Sequence, residues 1–190
     1  ASTPNDPSIG VMNAVERLAD ELGINSETLL SKTESIVHGT TVATNALLER
    51  KGAKTGLLTT LGHRDVLEMR EGLKDDRYNM RLPAPAPLVP RFLRLGVRER
   101  IKPDGSIHTK LDNTSLDEAI NKLREEKVTS VAVCYLHAYK EPKHEQETKK
   151  ILEAKLPGVA VSISSEVFPE IKEYERVSTT IAVSYTHLTL

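Results

Sequence analysis

Apolar residues along the chain follow two periodicities, and together these predict alternating strands and helices. Residues 55–60, 129–135 and 159–164 are runs of apolar and β-branched side chains, typical of strands that are buried on both faces in a parallel sheet. Elsewhere, apolar residues recur every three or four positions, as they do along one face of a helix. Those positions are Val11, Val15, Leu18 and Leu22 in the first helix and Leu116, Ala119, Ile120 and Leu123 in a later one. The pattern therefore predicts an α/β fold.

A strand-to-helix junction is predicted upstream of the strand at 55–60. The β-branched pair at 36–37 favours the end of a buried strand, and Gly39 allows a tight turn after it. Thr40 or Thr41 can then cap a helix by accepting a backbone N–H bond. The result is a strand–helix–strand unit, which is the signature of a parallel sheet. The threonines either only cap this helix or help it to hold an anion such as a phosphate.

Polar residues that follow the strand at 55–60 are candidates for ligand binding. His63 lies where a parallel strand ends, and ligands of open α/β sheets bind at that edge. The alternative is a hydrogen-bonded loop histidine. The prolines at 83–90 exclude a regular helix or a central strand from the segment 71–90. This segment is either a solvated surface excursion or a loop over the sheet edge, where Arg70 and Arg77 would suit a carboxylate or phosphate.

The next segment predicts an antiparallel hairpin. Between residues 93 and 100, leucine and valine alternate with arginine, which indicates a strand with one exposed face. Residues 103–105 read Pro-Asp-Gly and predict a turn. The chain is then expected to return as the partner strand at 106–111.

Three further features in the second half of the chain have structural rather than catalytic interpretations. Cys134 lies within the apolar run 129–135 and has no evident activating partner, so it is expected to belong to the core. His137 follows that strand and is expected to be a loop residue. Glu173 and Arg176 are expected to pair on one face of a charged helix, and a role at a domain junction is the alternative.

Composition narrows the function classes. The 190 residues contain 26 Lys and Arg and 27 Asp and Glu, so no strong charge points to a nucleic-acid or other polyanionic partner. One cysteine cannot form a disulfide framework or a thiolate metal site. The sequence has no apolar run of membrane-spanning length and its start does not read as a signal peptide, so a cytoplasmic location is expected.

Two long stretches, residues 38–60 and 165–180, closely resemble the N-terminal domain of the hydantoinase A/5-oxoprolinase family. The first stretch reads His-Gly-Thr-Thr-Val-Ala-Thr-Asn-Ala-Leu-Leu-Glu-Arg-Lys-Gly-Ala-Lys-Thr-Gly-Leu-Leu-Thr-Thr. The family includes N-methylhydantoinase A-like proteins, 5-oxoprolinase, caprolactamase, and subunits of acetone and acetophenone carboxylases.

The resemblance implies the actin–hexokinase-like ATPase fold, with a mostly parallel sheet, flanking helices and an antiparallel hairpin. The family's first strand and phosphate loop have no counterpart in this sequence, so we expect a domain at 1–183 that is truncated at both ends. The family pattern breaks off after Ala182, and residues 184–190 are expected to be an adapter-derived tail without a functional role.

The resemblance also implies a function for the longer parent protein. Family members use ATP, with Mg²⁺ expected, to activate a cyclic amide or ketone by phosphorylation for hydrolysis or carboxylation. A hydantoinase B-type subunit or domain is the expected partner. The implied cleft residues, for substrate or nucleotide, are His38, Gly39, Thr40, Thr41, Thr44 and Asn45, together with His63, Arg70 and Arg77. No catalytic residue or metal ligand is assigned.

Two alternatives stay open at this point. The chain could be a non-catalytic module that forms half of a cleft and contacts another subunit, and the isolated chain is expected to be inactive. A sugar-kinase-like phosphotransferase on the same fold is the other alternative, because fold alone does not determine function.

Overall fold

The structure, a computed structural model, describes residues 6–37, 39, 41–72, 76, 78–83 and 85–187. The chain divides into two compact units, Ala1–Thr40 and Thr41–Leu190, which are described separately. The helices are α1 (Pro7–Glu21), α2 (Ser26–Ser31), α3 (Val42–Leu48), α4 (Val66–Met69), α5 (Asn113–Glu125), α6 (Lys143–Lys155), α7 (Ser164–Val167) and α8 (Glu173–Tyr185). The strands are β1 (Thr55–Thr60), β2 (Arg94–Val97), β3 (Arg100–Ile101), β4 (Ile107–Thr109), β5 (Ser130–Cys134) and β6 (Ala160–Ile163).

The first unit is a pair of helices, α1 and α2. Asp6 caps α1 by accepting a hydrogen bond from the backbone N–H of Ser8 at 2.9 Å, and Gly23 ends the helix at a φ of 66°. Ala19 is the buried residue of α1, whereas Leu18 of the predicted apolar stripe is exposed. The helix is confirmed, but its buried face is centred one residue away from the prediction.

The predicted strand at Ile36–Val37 is wrong. Both residues lie outside any strand, and Val37 is 96% exposed. A strand requires a neighbour that takes up its backbone N–H and C=O groups, and none of the described residues of this unit offers one. β-branched side chains therefore favoured an extended conformation here without pairing.

The second unit is built on a four-stranded parallel sheet in the order β2-β1-β5-β6. The predicted strands at 55–60, 129–135 and 159–164 are all confirmed within one or two residues. β5 lies between two neighbours and every one of its residues is buried, as a continuous apolar run predicts. The sheet thereby confirms the expected α/β class.

Helices cover the sheet and enclose its core. α5 and α6 pack on each other and on the sheet, while α8 packs on β1, β5 and β6 together with α4 and α7. The predicted buried face of α5 is confirmed, since Leu116, Ala119, Ile120 and Leu123 are all buried. β5, α6 and β6 form the expected strand–helix–strand unit.

The hairpin prediction is correct about its turn and wrong about one strand. Lys102 N–H donates to the carbonyl of Ser106 at 2.9 Å, which closes the predicted turn, and β3 pairs with β4 in antiparallel fashion. The residues of β2, however, join the parallel sheet beside β1. Arg94, which the alternating pattern places in solvent, is 1% exposed because it finds polar partners inside. Glu99, which the same pattern places on the face of the apolar residues, is 3% exposed and also has polar partners.

Two other segments bear on the site. The described residues between 71 and 90 form no helix or strand, as the prolines predict. Helix α8 continues through Ser184 and Tyr185, which were expected to lie outside the fold; Tyr185 is buried and its carbonyl accepts a hydrogen bond from the Ala53 N–H at 2.8 Å. The adapter origin of the tail stays a prediction.

Candidate functional site

A cavity of about 430 Å³ lies past the carboxyl ends of β1 and β5. Such an edge is where open α/β sheets bind their ligands. The wall is formed by the residues that follow β1, by α4, by the end of β5 and by the start of α8. Its lining is Gly62, His63, Asp65, Val66, Met69, Arg70, Glu71, Cys134, Leu136, Lys172, Glu173, Tyr174, Glu175, Arg176 and Val177. We call this space the carboxyl-edge cavity.

His63 reaches the cavity from the turn after β1. Its backbone N–H donates to the carbonyl of Thr60 at 3.0 Å, which fixes the turn. Its Nε2 lies 3.0 Å from Nη1 of Arg100 in β3. Partial desolvation, followed by the charge of Arg100, lowers the pKa of His63 below its ordinary value. The imidazole is therefore neutral at neutral pH.

Helix α4 carries Arg70 to the cavity. The helix is anchored by the buried Arg94, whose Nη1 lies 3.1 Å from Oε1 of Glu68 and whose Nε donates to the carbonyl of Val89 at 2.9 Å. Arg70 itself has a φ of 52°, a left-handed conformation that costs a non-glycine residue about 1–3 kcal/mol. Backbone strain of this kind is often found at binding sites.

A second cavity, of about 220 Å³, adjoins the same helix. Arg70 and Tyr174 line both spaces. The rest of its wall is mostly apolar and includes residues 85–88 of the proline-containing segment. Residues 85–88 therefore lie beside α4 and α8, and a ligand-binding role of the segment stays a prediction.

Arg176 closes the floor of the carboxyl-edge cavity. It is 1% exposed, and its Nη2 donates to the carbonyl of Tyr135 at 3.0 Å while Nη1 donates to the carbonyl of Glu170 at 3.3 Å. The guanidinium also lies 5.5 Å from the centre of the Tyr139 ring, a cation–π distance. The predicted pairing of Glu173 with Arg176 is wrong, because burial directs the guanidinium to backbone carbonyls instead.

A buried polar network ties the ends of the strands together beneath the cavity. Thr60 at the end of β1 donates to Glu99 Oε1 and accepts from the backbone N–H of Leu136 at 2.9 Å. The other oxygen of Glu99 lies 2.8 Å from Nδ1 of His144 on α6. Each polar atom in this chain of contacts has a partner, as burial requires.

The next residue of α6, Glu145, makes the second half of this network. Its Oε1 accepts from the backbone N–H of Tyr135 at 2.9 Å and from Oγ of Ser164 at 2.6 Å. Its Oε2 accepts from the backbone N–H of Ser165 at 2.8 Å. Burial raises the pKa of Glu145, and these three donors oppose that rise. The carboxyl group therefore holds the end of β5 to the start of α7.

Most charges around the cavity are already paired. Asp65 accepts two hydrogen bonds from Arg91, at 2.9 and 3.0 Å, and these lower the pKa of Asp65. Lys172 donates to Glu175 at 2.8 Å, which lowers the pKa of Glu175. Within the part of the chain that the structure describes, the side chains of Arg70 and Glu173 make no ion pair or hydrogen bond. The cavity thus offers one cation, one carboxylate and a neutral imidazole to a ligand.

The structure separates the residues singled out from sequence. His63 and Arg70 are brought together at the carboxyl-edge cavity. Thr41, just before α3, and Thr44 and Asn45 within α3 are exposed and do not line the cavity. Thr41 occupies the cap position of α3 without a capping hydrogen bond. Gly39 is exposed in the first unit. The remaining three, His38, Thr40 and Arg77, lie outside the described residues.

Sequence reasoning missed the residues that support this cavity. Arg100, Glu99 and His144 come from segments that look like solvated strand or helix surface, and no local signal distinguishes them. Cys134 lines the cavity from below, but burial raises the pKa of its thiol far above the ordinary value, so it is a core residue as expected. Among the described residues, no group of three or more His, Cys, Asp or Glu could hold a metal ion.

A family model described as the hydantoinase/oxoprolinase N-terminal region matches residues 1–156. The chain belongs to the hydantoinase/oxoprolinase family. Subunit alpha of the caprolactamase of Pseudomonas jessenii is 41% identical over 186 residues, which are 97% of this chain and 27% of that subunit. The gamma subunit of the acetophenone carboxylase of Aromatoleum aromaticum is 36% identical, over 97% of this chain and 27% of that subunit.

Solved structures confirm the fold of this family member. The crystal structure of the ATP-dependent caprolactamase of Pseudomonas jessenii superimposes with a TM-score of 0.88 over 97% of this chain and 27% of that one. A nucleotide-free acetone carboxylase superimposes with a TM-score of 0.84 at 26% identity, over 97% of this chain and 28% of that one. The chain therefore spans about a quarter of the length of the relatives that it matches. No helix in the described ranges is long and apolar enough to cross a membrane.

Proposed function

We propose that this chain is part of an ATP-dependent enzyme that activates a cyclic amide by phosphorylation for hydrolysis. One observation carries the proposal: the similarity to the caprolactamase subunit extends over nearly the whole chain in both sequence and backbone. A lactam is a poor electrophile because its carbonyl is stabilised by resonance. Phosphorylation of the amide oxygen, with ATP as the phosphoryl donor, would convert that oxygen into a leaving group.

The carboxyl-edge cavity is the proposed contribution of this chain to the substrate site. Its volume suits a small cyclic molecule rather than a large one. The neutral His63 can hydrogen-bond a carbonyl oxygen, and Arg70 can attract a group that is or becomes anionic. The residues at 38–45 remain proposed cleft residues on the strength of the family resemblance.

The described residues do not suit a magnesium–nucleotide complex. Among them, no group of three or more His, Cys, Asp or Glu side chains could hold a metal ion. The cavity wall also carries Glu173, which has no ion-pair partner among the described residues and whose charge would repel a triphosphate. We therefore assign ATP and any Mg²⁺ to the rest of a longer protein and derive no step through the metal. A second subunit of the hydantoinase B type is the proposed partner, since the relatives are named as subunits.

Carboxylation of a ketone is the second candidate function. It is favoured by the similarity to carboxylase subunits, which also covers nearly all of this chain. Both reactions would begin with phosphorylation of a carbonyl-type oxygen. They differ in the second step, which is attack of water on the activated amide in one reaction and carboxylation of the activated ketone in the other. The residues of this chain do not distinguish the two.

A domain exchange tests the proposal. The matching N-terminal region of the caprolactamase alpha subunit is replaced by this chain, and ATP-dependent loss of ε-caprolactam is measured after assembly with the partner subunit. We expect turnover that requires ATP. A parallel exchange into the acetophenone carboxylase gamma subunit serves as the comparison. If both hybrids assemble with their partner subunits but only the carboxylase hybrid is active, the result would favour the ketone reaction and contradict the lactam proposal.

A further inference from the structure

The contact between Arg100 and His63 determines which nitrogen of the imidazole carries its proton. Nη1 of Arg100 lies 3.0 Å from Nε2 of His63. A guanidinium has donors only, so Nε2 must be the acceptor. A neutral imidazole whose Nε2 accepts a hydrogen bond carries its proton on Nδ1.

The imidazole is held neutral by its surroundings. Partial desolvation and the charge of Arg100 disfavour the imidazolium, and His137 adds to this in the same direction. Glu173 and Glu99 act in the opposite direction and do not outweigh these effects, since the pKa of His63 is lowered overall. Loss of the Arg100 charge would remove one of the two main causes.

The Nδ1–H of His63 is left without an acceptor among the described residues. His63 is an exposed residue that lines the carboxyl-edge cavity beside Gly62, which has a φ of 93° and carries no side chain that could shield it. A hydrogen-bond donor at a cavity wall suits an oxygen acceptor on a ligand.

We propose that His63 binds and orients a carbonyl oxygen of the ligand through Nδ1–H, and that Arg100 is the positioning residue that fixes this tautomer. The identity of the oxygen, that of a cyclic amide, rests on the proposed function. The tautomer does not, because it follows from the contact with Arg100. A neutral donor binds an uncharged carbonyl without having to give up the strong hydration of a cation.

The first test is long-range ¹H–¹⁵N NMR of the histidine rings in the full chain at neutral pH. The chain has 6 His, and the His63 signals are assigned by their loss in His63→Asn. We expect a protonated Nδ1 and an unprotonated Nε2. In Arg100→Ala, the population should move toward the Nε2–H tautomer that free histidine prefers, whereas the control Arg98→Ala should leave it unchanged. A protonated Nε2 in the unaltered chain, or no change in Arg100→Ala, would overturn the role of Arg100.

The second test separates the two nitrogens by function in the caprolactamase hybrid. Asparagine places its amide N–H near the position of Nδ1, and glutamine places it near that of Nε2. We expect His63→Asn to keep most of kcat/KM and His63→Gln to lose about tenfold, the effect of one hydrogen bond to the ligand. Equal effects of the two substitutions in an active hybrid would overturn the donor role.

A binding readout keeps this inference apart from the proposed function. If the hybrid with the unaltered chain turns over no lactam, the proposed function fails, and ε-caprolactam is titrated into the labelled chain instead. A shift of the His63 Nδ1 resonance on addition of lactam, at a position where the ring still carries its proton on Nδ1, would support the donor role. Its absence at saturating lactam would contradict that role.

Discussion

Buried charges at the carboxyl ends of the strands are each committed to a specific partner. Arg176, Glu99 and Glu145 are all nearly inaccessible, and each bonds to the end of a strand or to the segment that follows one. A buried charge without such partners would be very costly. These residues therefore hold the backbone that surrounds the cavity, in contrast to the exposed ion pairs, which contribute little to stability.

Substitution of Arg176 should therefore destabilise the fold. Arg176→Met keeps most of the volume but removes the charged donors to the carbonyls of Tyr135 and Glu170. We expect a loss of about 2–3 kcal/mol in the free energy of unfolding, measured by urea denaturation. The exposed Arg98→Met is the control and should change it by less than about 0.5 kcal/mol. A similar small effect for both would show that the Arg176 bonds do not contribute.

Glu145 should make the stability depend on pH. Burial raises its folded-state pKa above the ordinary value of 4.5, so the unfolded chain loses this proton at a lower pH than the folded chain does. The contribution of Glu145 is therefore greatest below that ordinary value and declines as pH rises through the folded-state pKa. Glu145→Gln removes this titration, so the destabilisation it causes should be larger at about pH 4 than at about pH 8. Urea denaturation at both values measures this, and a cost that grows with pH would contradict it.

At the scale of elements, the parallel strands were predictable and the pairing of β2 was not. β1, β5 and β6 are apolar on both faces, a pattern that only a covered sheet satisfies. β2 contains Arg94, and a charged residue in an alternating run indicates an exposed face unless a distant partner is known. That partner, Glu68, lies on another element, so the information was not local. The strand predicted at 36–37 was wrong for the opposite reason, because none of the described residues of its unit pairs with it.

The packing of α8 against the loop before β1 gives a prediction of its own. A Cβ added at Gly52 would overlap the ring and the carbonyl oxygen of Tyr185. Gly52→Ala should therefore destabilise the chain by about 1–3 kcal/mol, since backbone as well as side chain must shift. Gly39→Ala is the matched control because no described residue lies within 4 Å of the added atom. Equal melting temperatures for the two variants would show that the Tyr185 contact is not maintained in solution.

At the scale of the molecule, sequence reasoning found the edge of the sheet where the cavity lies but not its full wall. His63 and Arg70 were predicted because they follow a recognisable strand. Arg100 and Glu173 come from distant segments that only the topology brings to the same edge. The residues carried over from the family resemblance on α3 do not line this cavity.

The charges around the cavity predict how this chain responds to nucleotide on its own. Of the basic side chains at the cavity, Lys172 and Arg176 already donate hydrogen bonds to other residues of the chain, which leaves Arg70. No group of three or more potential metal ligands exists in the described ranges. We therefore expect no rise in melting temperature when Mg-ATP is added. If Mg-ATP did bind, a free concentration of 100 times its dissociation constant would raise the free energy of unfolding by about 2.7 kcal/mol. For a chain of this size that corresponds to about 5–10 °C, which is readily measured.

A rise of that size that persists in Arg70→Ala but is lost in Thr41→Ala would move the nucleotide site to the start of α3. A rise lost in Arg70→Ala would move it into the carboxyl-edge cavity.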